Sequence, residues 1–168
     1  MKATFISIFL FLSLQVFSQT TYYKGGWSRG TTSFFYKSLL KLTINGDHAE
    51  GEIIWQLVSA DSLDKEGFAD YKRKTGLKGI EMFRGRFDPK TNDLNIEGID
   101  KMDPDTLIGV DKYTLKLSPD KKIIYGKTNA NGHDNGCFYA LKVETTAAAK
   151  EFEAVKKKLK RKGNTGAK

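Results

Sequence analysis

The chain has 168 residues, 28 Lys and Arg against 20 Asp and Glu, and a single Cys. One thiol excludes a scaffold stapled by intramolecular disulfides. The longest apolar run, residues 3–14, falls short of the ~20 residues a membrane-crossing helix needs, so no transmembrane segment is expected. The net charge of +8 is not a property of the whole chain: residues 145–168 hold eight basic side chains against two acidic ones, whereas residues 19–144 hold nineteen against eighteen. A nearly neutral body with a basic tail argues against a nucleic-acid-binding face built into the fold.

Residues 1–18 read as an export signal, with Lys2 as the charged start, the apolar run from Ala3 to Leu14, and Val16 and Ser18 three and one residues before the cut. The expected destination is the periplasm or the extracellular space, and the remaining 150 residues suffice for one domain with a real core. From there to residue 144 the dominant hydrophobic period is two. Strands are predicted over 22–28, 34–44, 48–57, 77–88, 93–100, 111–118, 122–128 and 136–144. Turn chemistry separates them: Asn45-Gly46, Pro89 to Asn92, and Pro119-Asp120. A longer insertion at 58–76 carries a short-helix pattern, with Ser62 as a cap and Thr75-Gly76 as a stop, weakened by Gly67. It is expected to form a flap over one end of the strands.

Opposed residues of an antiparallel pair share a face, so each hairpin tests its own assignment. With Asn45-Gly46 as a two-residue turn, one face collects Tyr36, Leu40, Leu42, Ile44, Ile53, Trp55 and Leu57. The other takes Lys37, Leu39, Lys41, Thr43, Glu50, Glu52, Ile54 and Gln56. With Asp88 opposite Asp93, Phe83 meets Gly98, Gly85 meets Ile96, Phe87 meets Leu94, and Arg84 meets Glu97 on the polar side. The same register sets Asp100 directly across from Glu81. Tyr113, Leu115 and Leu117 alternate with lysines and a threonine; Cys137, Tyr139 and Leu141 are assigned inward by the same alternation. The register after Pro119-Asp120 stays open, because two- and three-residue loops turn opposite faces of 122–128 inward.

Eight antiparallel strands with one apolar face, in hairpin order, most simply close on themselves. The expectation is a soluble, all-β, eight-stranded antiparallel up-and-down barrel with a short C-terminal helix; a β-sandwich is the alternative. Charged outer faces exclude the apolar-out pattern of an outer-membrane barrel. Gly25-Gly26-Trp27 near the start, the hairpin around Asn45-Gly46 and the eight-strand count together resemble the calycin group, the lipocalin- and avidin-like barrels of exported proteins. That resemblance implies a fold and a tendency to bind small molecules or proteins, and names no ligand.

The inward face gathers Trp27, Tyr36, Trp55, Phe83, Tyr113 and Tyr139, which read either as a ligand-stacking wall or as a packed aromatic core. Glu81 and Asp100 complete the ligand-binding candidates. The leading functional expectation is a non-catalytic module that takes a small apolar or aromatic ligand in the barrel mouth. A protein-interaction or inhibitor barrel is the alternative, and a hydrolase or isomerase using Glu81 and Asp100 is a third reading. No cofactor or metal is expected, since His48 and His133 lie outside any ligand-spaced cluster, and the chain is expected to be a monomer. In the tail, Ala148, Phe152, Val155 and Leu159 form one helical stripe. Residues 150–162 would meet an anionic surface or a protein partner, or else the stripe docks on the barrel and the lysines are merely solvated.

Overall fold

The computed structural model describes residues 19–28, 35–58, 72–130 and 133–165. Eight strands are present: β1 (Gln19–Ser28), β2 (Tyr36–Asn45), β3 (His48–Leu57), β4 (Lys78–Asp88), β5 (Asp93–Met102), β6 (Lys112–Leu117), β7 (Ile123–Ala130) and β8 (His133–Lys142). Each pairs antiparallel with its sequence neighbour, and β1 pairs with β8, so the sheet is a closed up-and-down barrel. One helix, α1 (Thr145–Thr165), follows. The proposed signal, residues 1–18, and most of the proposed flap lie outside the described residues; of that insertion a single helical turn at 72–74 is described.

The β2–β3 turn is Gly46-Asp47 rather than Asn45-Gly46, since Asn45 pairs with His48. Gly46 takes the left-handed conformation (φ +64°) at the first central position, where a type II′ turn requires it. Moving the turn by one residue shifts the partners by two, so both predicted faces survive. The β4–β5 register is as expected from Asp88–Asp93 up to Phe83–Gly98, and there it breaks. A bulge at Ile99 puts Asp100 opposite Met82 and Lys101 opposite Glu81. Asp100 is therefore on the outer surface and exposed, not across from Glu81.

Beyond Pro119 the loop is four residues, closed by Lys121 N–H donating to the Ser118 carbonyl (2.7 Å). The Ser118 hydroxyl accepts from Ile123 N–H (3.0 Å) and donates to Asp120 (2.6 Å). This turns Ile124, Gly126 and Thr128 inward. On β8 the expected parity is reversed. Phe138 and Ala140 are buried, whereas Tyr139 (42 % exposed), Leu141 and Cys137 face out. Closure decides this: Trp27 pairs with Phe138 and Gly25 with Ala140, so the inward face of β1 dictates that of β8. The seam leaves no room for larger groups, because a Cβ on Gly25 would lie 1.9 Å from the Tyr139 carbonyl oxygen.

The barrel interior is filled by Tyr23, Leu40, Leu42, Ile53, Phe83, Phe87 and their neighbours. A second apolar cluster lies on the outside. Tyr22, Leu39, Ile54 and Ile80 project from adjacent strands and receive Ala148, Phe152 and Leu159 of α1. The Phe152 ring is fully buried, edge-on to Tyr22 (6.2 Å) with the Lys41 ammonium 5.8 Å from its centre. Glu144 starts the helix by accepting N–H bonds from Thr146 and Ala147, both 2.6 Å, which hold its carboxyl below the usual range. Ion pairs from Lys24 to Glu151 (2.6 Å), Lys156 to Glu52 and Lys162 to Asp105 (2.6 Å) frame the contact. The tail stripe thus docks on the barrel, as in the second of its two expected roles, but Lys156 and Lys162 are paired rather than merely solvated.

Candidate functional site

In an up-and-down barrel one rim is made by the ends of the odd strands and the starts of the even ones. Here that rim carries a recess of about 150 Å³, walled by Trp27, Tyr36 and Trp55 and floored by Glu81. The loop 103–111 forms one lip, contributing Leu107, Ile108, Gly109 and Asp111, and Thr128 closes the far side. The lip is fastened down. Leu107 is buried against Phe35 and Leu57, the Tyr36 hydroxyl donates to its carbonyl (3.1 Å), and Ile108 N–H donates to Asp103 (2.7 Å). The Lys101 ammonium donates to the Ile108 carbonyl. The rings meet edge to face: Trp27–Tyr36 and Tyr36–Trp55 both at 6.1 Å, Trp55–Phe138 at 5.8 Å.

Glu81 is 1 % exposed, so its carboxylate must be met by donors or be neutral. Three donors converge on it. Trp55 Nε1 (3.0 Å) and the Tyr113 hydroxyl both donate to Oε2, and the Asp111 amide donates to Oε1 (2.9 Å). Burial nevertheless dominates and pushes the Glu81 carboxyl above its ordinary value, against the lowering pull of the Tyr113, Asp111 and Trp55 bonds; the nearby Asp111 carboxylate adds repulsion. Burial also holds the Tyr113 hydroxyl well above its usual range, helped by the Glu81 charge. Asp111 is partly buried, and burial raises its carboxyl too. Gly98 makes the arrangement possible: a Cβ there would come within 2.2 Å of Glu81 Oε1.

Of the eight candidate residues, Trp27, Tyr36, Trp55 and Glu81 line the recess and Tyr113 supports it from below. Phe83 belongs to the packed interior. Asp100 and Tyr139 lie on the outer surface, for the reasons of bulge and closure given above. A carboxyl pair of Glu81 with Asp100 therefore does not form; Glu81 has Asp111 as its acidic neighbour.

No family profile matches the chain, and no curated protein or solved structure shows significant similarity to it. An eight-stranded antiparallel closed barrel is what the architecture shows, a form consistent with the calycin resemblance.

Thr128 and Asp111 were missed in the sequence. Thr128 lay on a strand whose facing depended on an unreadable loop, and it accepts the Trp27 Nε1 bond (2.7 Å). Asp111 is only the first residue of the strand expected over 111–118, and nothing in that alternation marks it as part of a site. A larger depression of about 880 Å³ runs along the outside of β3–β6 past Arg84, Arg86, Glu50 and Glu97. Its charged side chains are exposed and of both signs, so they converge on no enclosed site.

Proposed function

We propose that this chain is an exported, non-catalytic binding module that takes one small aromatic molecule in the barrel mouth. The observation that carries the reading is the recess itself: three aromatic walls above a filled interior, with polar groups at its floor, at its lip and, as the Thr128 hydroxyl, on its far side. That is the usual constitution of a small-ligand site. A cavity near 150 Å³ accommodates a benzene-sized body, so the ligand is a single ring with short substituents rather than a retinoid or a fatty acid.

Both tryptophans of the chain, Trp27 and Trp55, line the recess, so tryptophan fluorescence reports on it. Titration with toluene should give a saturable one-to-one change, with amide NMR shifts confined to the neighbourhood of residues 27, 36, 55, 107–111 and 128. Trp27→Ala should weaken it several-fold. Absence of saturable binding, or shifts centred elsewhere, overturns the reading.

A second reading rests on α1, whose docked stripe leaves Lys150, Lys157, Lys158 and Lys160 pointing away from the barrel. These would serve a protein partner or an anionic surface, and changing all four to Gln should abolish capture while leaving the helix docked. Unaltered capture excludes it.

A further inference from the structure

Resting on the mouth reading above, we propose that the recess selects a small organic cation: a protonated amine or quaternary ammonium on a compact aromatic or apolar body. The donors that line it are already committed. Trp27 Nε1 is given to Thr128, Trp55 Nε1 to Glu81, and the Tyr36 hydroxyl to the Leu107 carbonyl. Among the described lining side chains, only the Thr128 hydroxyl keeps a proton to offer. Two carboxylates line the same space, and among the described residues no Lys, Arg or His does. The ammonium that shares the inner side with Glu81, Lys101, is held at the lip by the Ile108 carbonyl and lies 3.8 Å from Asp103.

The two carboxylates differ in how they are met. Glu81 is saturated by three protein donors, whereas no donor among the described residues reaches the Asp111 carboxylate. A neutral apolar ligand would strip water from Asp111 and return nothing, which is costly for a partly buried charge. An anion would meet like charge. A cation both pairs with Asp111 and lies against the electron-rich faces of Trp27, Tyr36 and Trp55. Asp111 is thus the residue that sets charge preference, and the rings set size and shape.

The test uses four probes of one ring size: toluene, benzyl alcohol, benzylamine and benzoate. They are titrated against the intact protein and against Asp111→Asn at neutral pH, with binding followed by calorimetry and by tryptophan fluorescence. The intact protein should bind benzylamine about tenfold more tightly than toluene or benzyl alcohol, with benzoate weakest. Asp111→Asn should bring benzylamine down to the level of toluene, which should itself bind as well as before or better once no charge is stripped of water; amide NMR shifts unchanged away from the rim show that the variant is folded. Equal binding of benzylamine and toluene, preference for benzoate, or an advantage that survives in Asp111→Asn overturns the cation proposal while leaving the mouth as a ligand site. If no probe binds, the mouth reading itself has failed, and the cation proposal falls with it.

Discussion

Replacing Glu81 by Gln sets two effects of opposite sign against each other. The amide oxygen can take the place of Oε2 and still receive Trp55 and Tyr113. The amide nitrogen must then stand where Oε1 accepts Asp111 N–H at 2.9 Å, so donor faces donor. A buried donor left unmet costs about 1–3 kcal/mol. A protonated glutamic acid avoids this cost, because its hydroxyl oxygen still accepts the Asp111 bond. At pH 4 the natural protein should therefore be more stable than Glu81→Gln by that amount. Raising the pH changes the balance. A carboxyl whose folded pKa lies above its ordinary 4.5 contributes stability that is fully present below the unfolded value and is lost as pH climbs through the folded one. Each unit of elevation costs about 1.4 kcal/mol once pH exceeds both values. Glutamine carries no such dependence. Urea unfolding of the two proteins at pH 4 to 8, followed by tryptophan fluorescence, should show the gap narrowing as pH rises. A gap that widens would mean that the three donors outweigh burial and hold Glu81 ionised below its ordinary pKa, and the account of the floor would be refuted.

Two further substitutions probe what holds the site. Phe152→Ala empties a fully buried ring position between α1 and the barrel and should cost about 3 kcal/mol, the lower end for such a truncation because the helix can settle toward the sheet. A loss below 1 kcal/mol in chemical denaturation would show that the helix does not depend on its stripe. Gly98→Ala drives a methyl to within 2.2 Å of Glu81 Oε1 and 2.9 Å of the Val110 Cβ; the overpacking should cost about 1–3 kcal/mol and weaken binding of toluene in the same protein. Unchanged stability and binding would show that the floor gives way freely.

The parts of the barrel legible in the sequence are those where period two operates without interruption. Tyr113, Leu115 and Leu117 needed no register to be placed, and the β2–β3 faces tolerated a misplaced turn because the resulting shift was even. Leu39 and Ile54 carried a mark of the helix contact that the alternation alone did not interpret. They are the apolar exceptions on a charged face, they pair with each other, and they sit under Phe152's cluster. Parity fails where one residue is added. The pattern of β5 marks the extra residue only faintly: the alternation that turns Leu94, Ile96 and Gly98 inward puts apolar Ile99 outward, where it is half exposed, and acidic Asp100 inward, where the bulge does not leave it. On β8 the alternation of Cys137, Tyr139 and Leu141 is as apolar as that of Phe138 and Ala140, so hydrophobicity cannot choose. The choice is made by pairing with β1 across more than a hundred residues.

The bulge that carries Asp100 away is also what makes the floor of the mouth. By spending one residue at position 99, β5 keeps Gly98 against Phe83 while its end swings out to the rim. Gly98 N–H then donates to the Asp111 carbonyl (2.8 Å), and the Asp111 amide donates to Glu81. The returning chain is thereby fixed by its backbone on both sides of one residue, which leaves the Asp111 side chain lining the recess with its carboxylate unused. An acidic group held by main-chain bonds and left with an uncommitted carboxylate is what a cation-selective mouth requires, and the third donor on Glu81 keeps the buried charge beneath it from competing for the same ligand. The departure from regular pairing and the proposed chemistry are therefore one feature. Restoring regular pairing by deleting Ile99 should remove the amine preference along with the site.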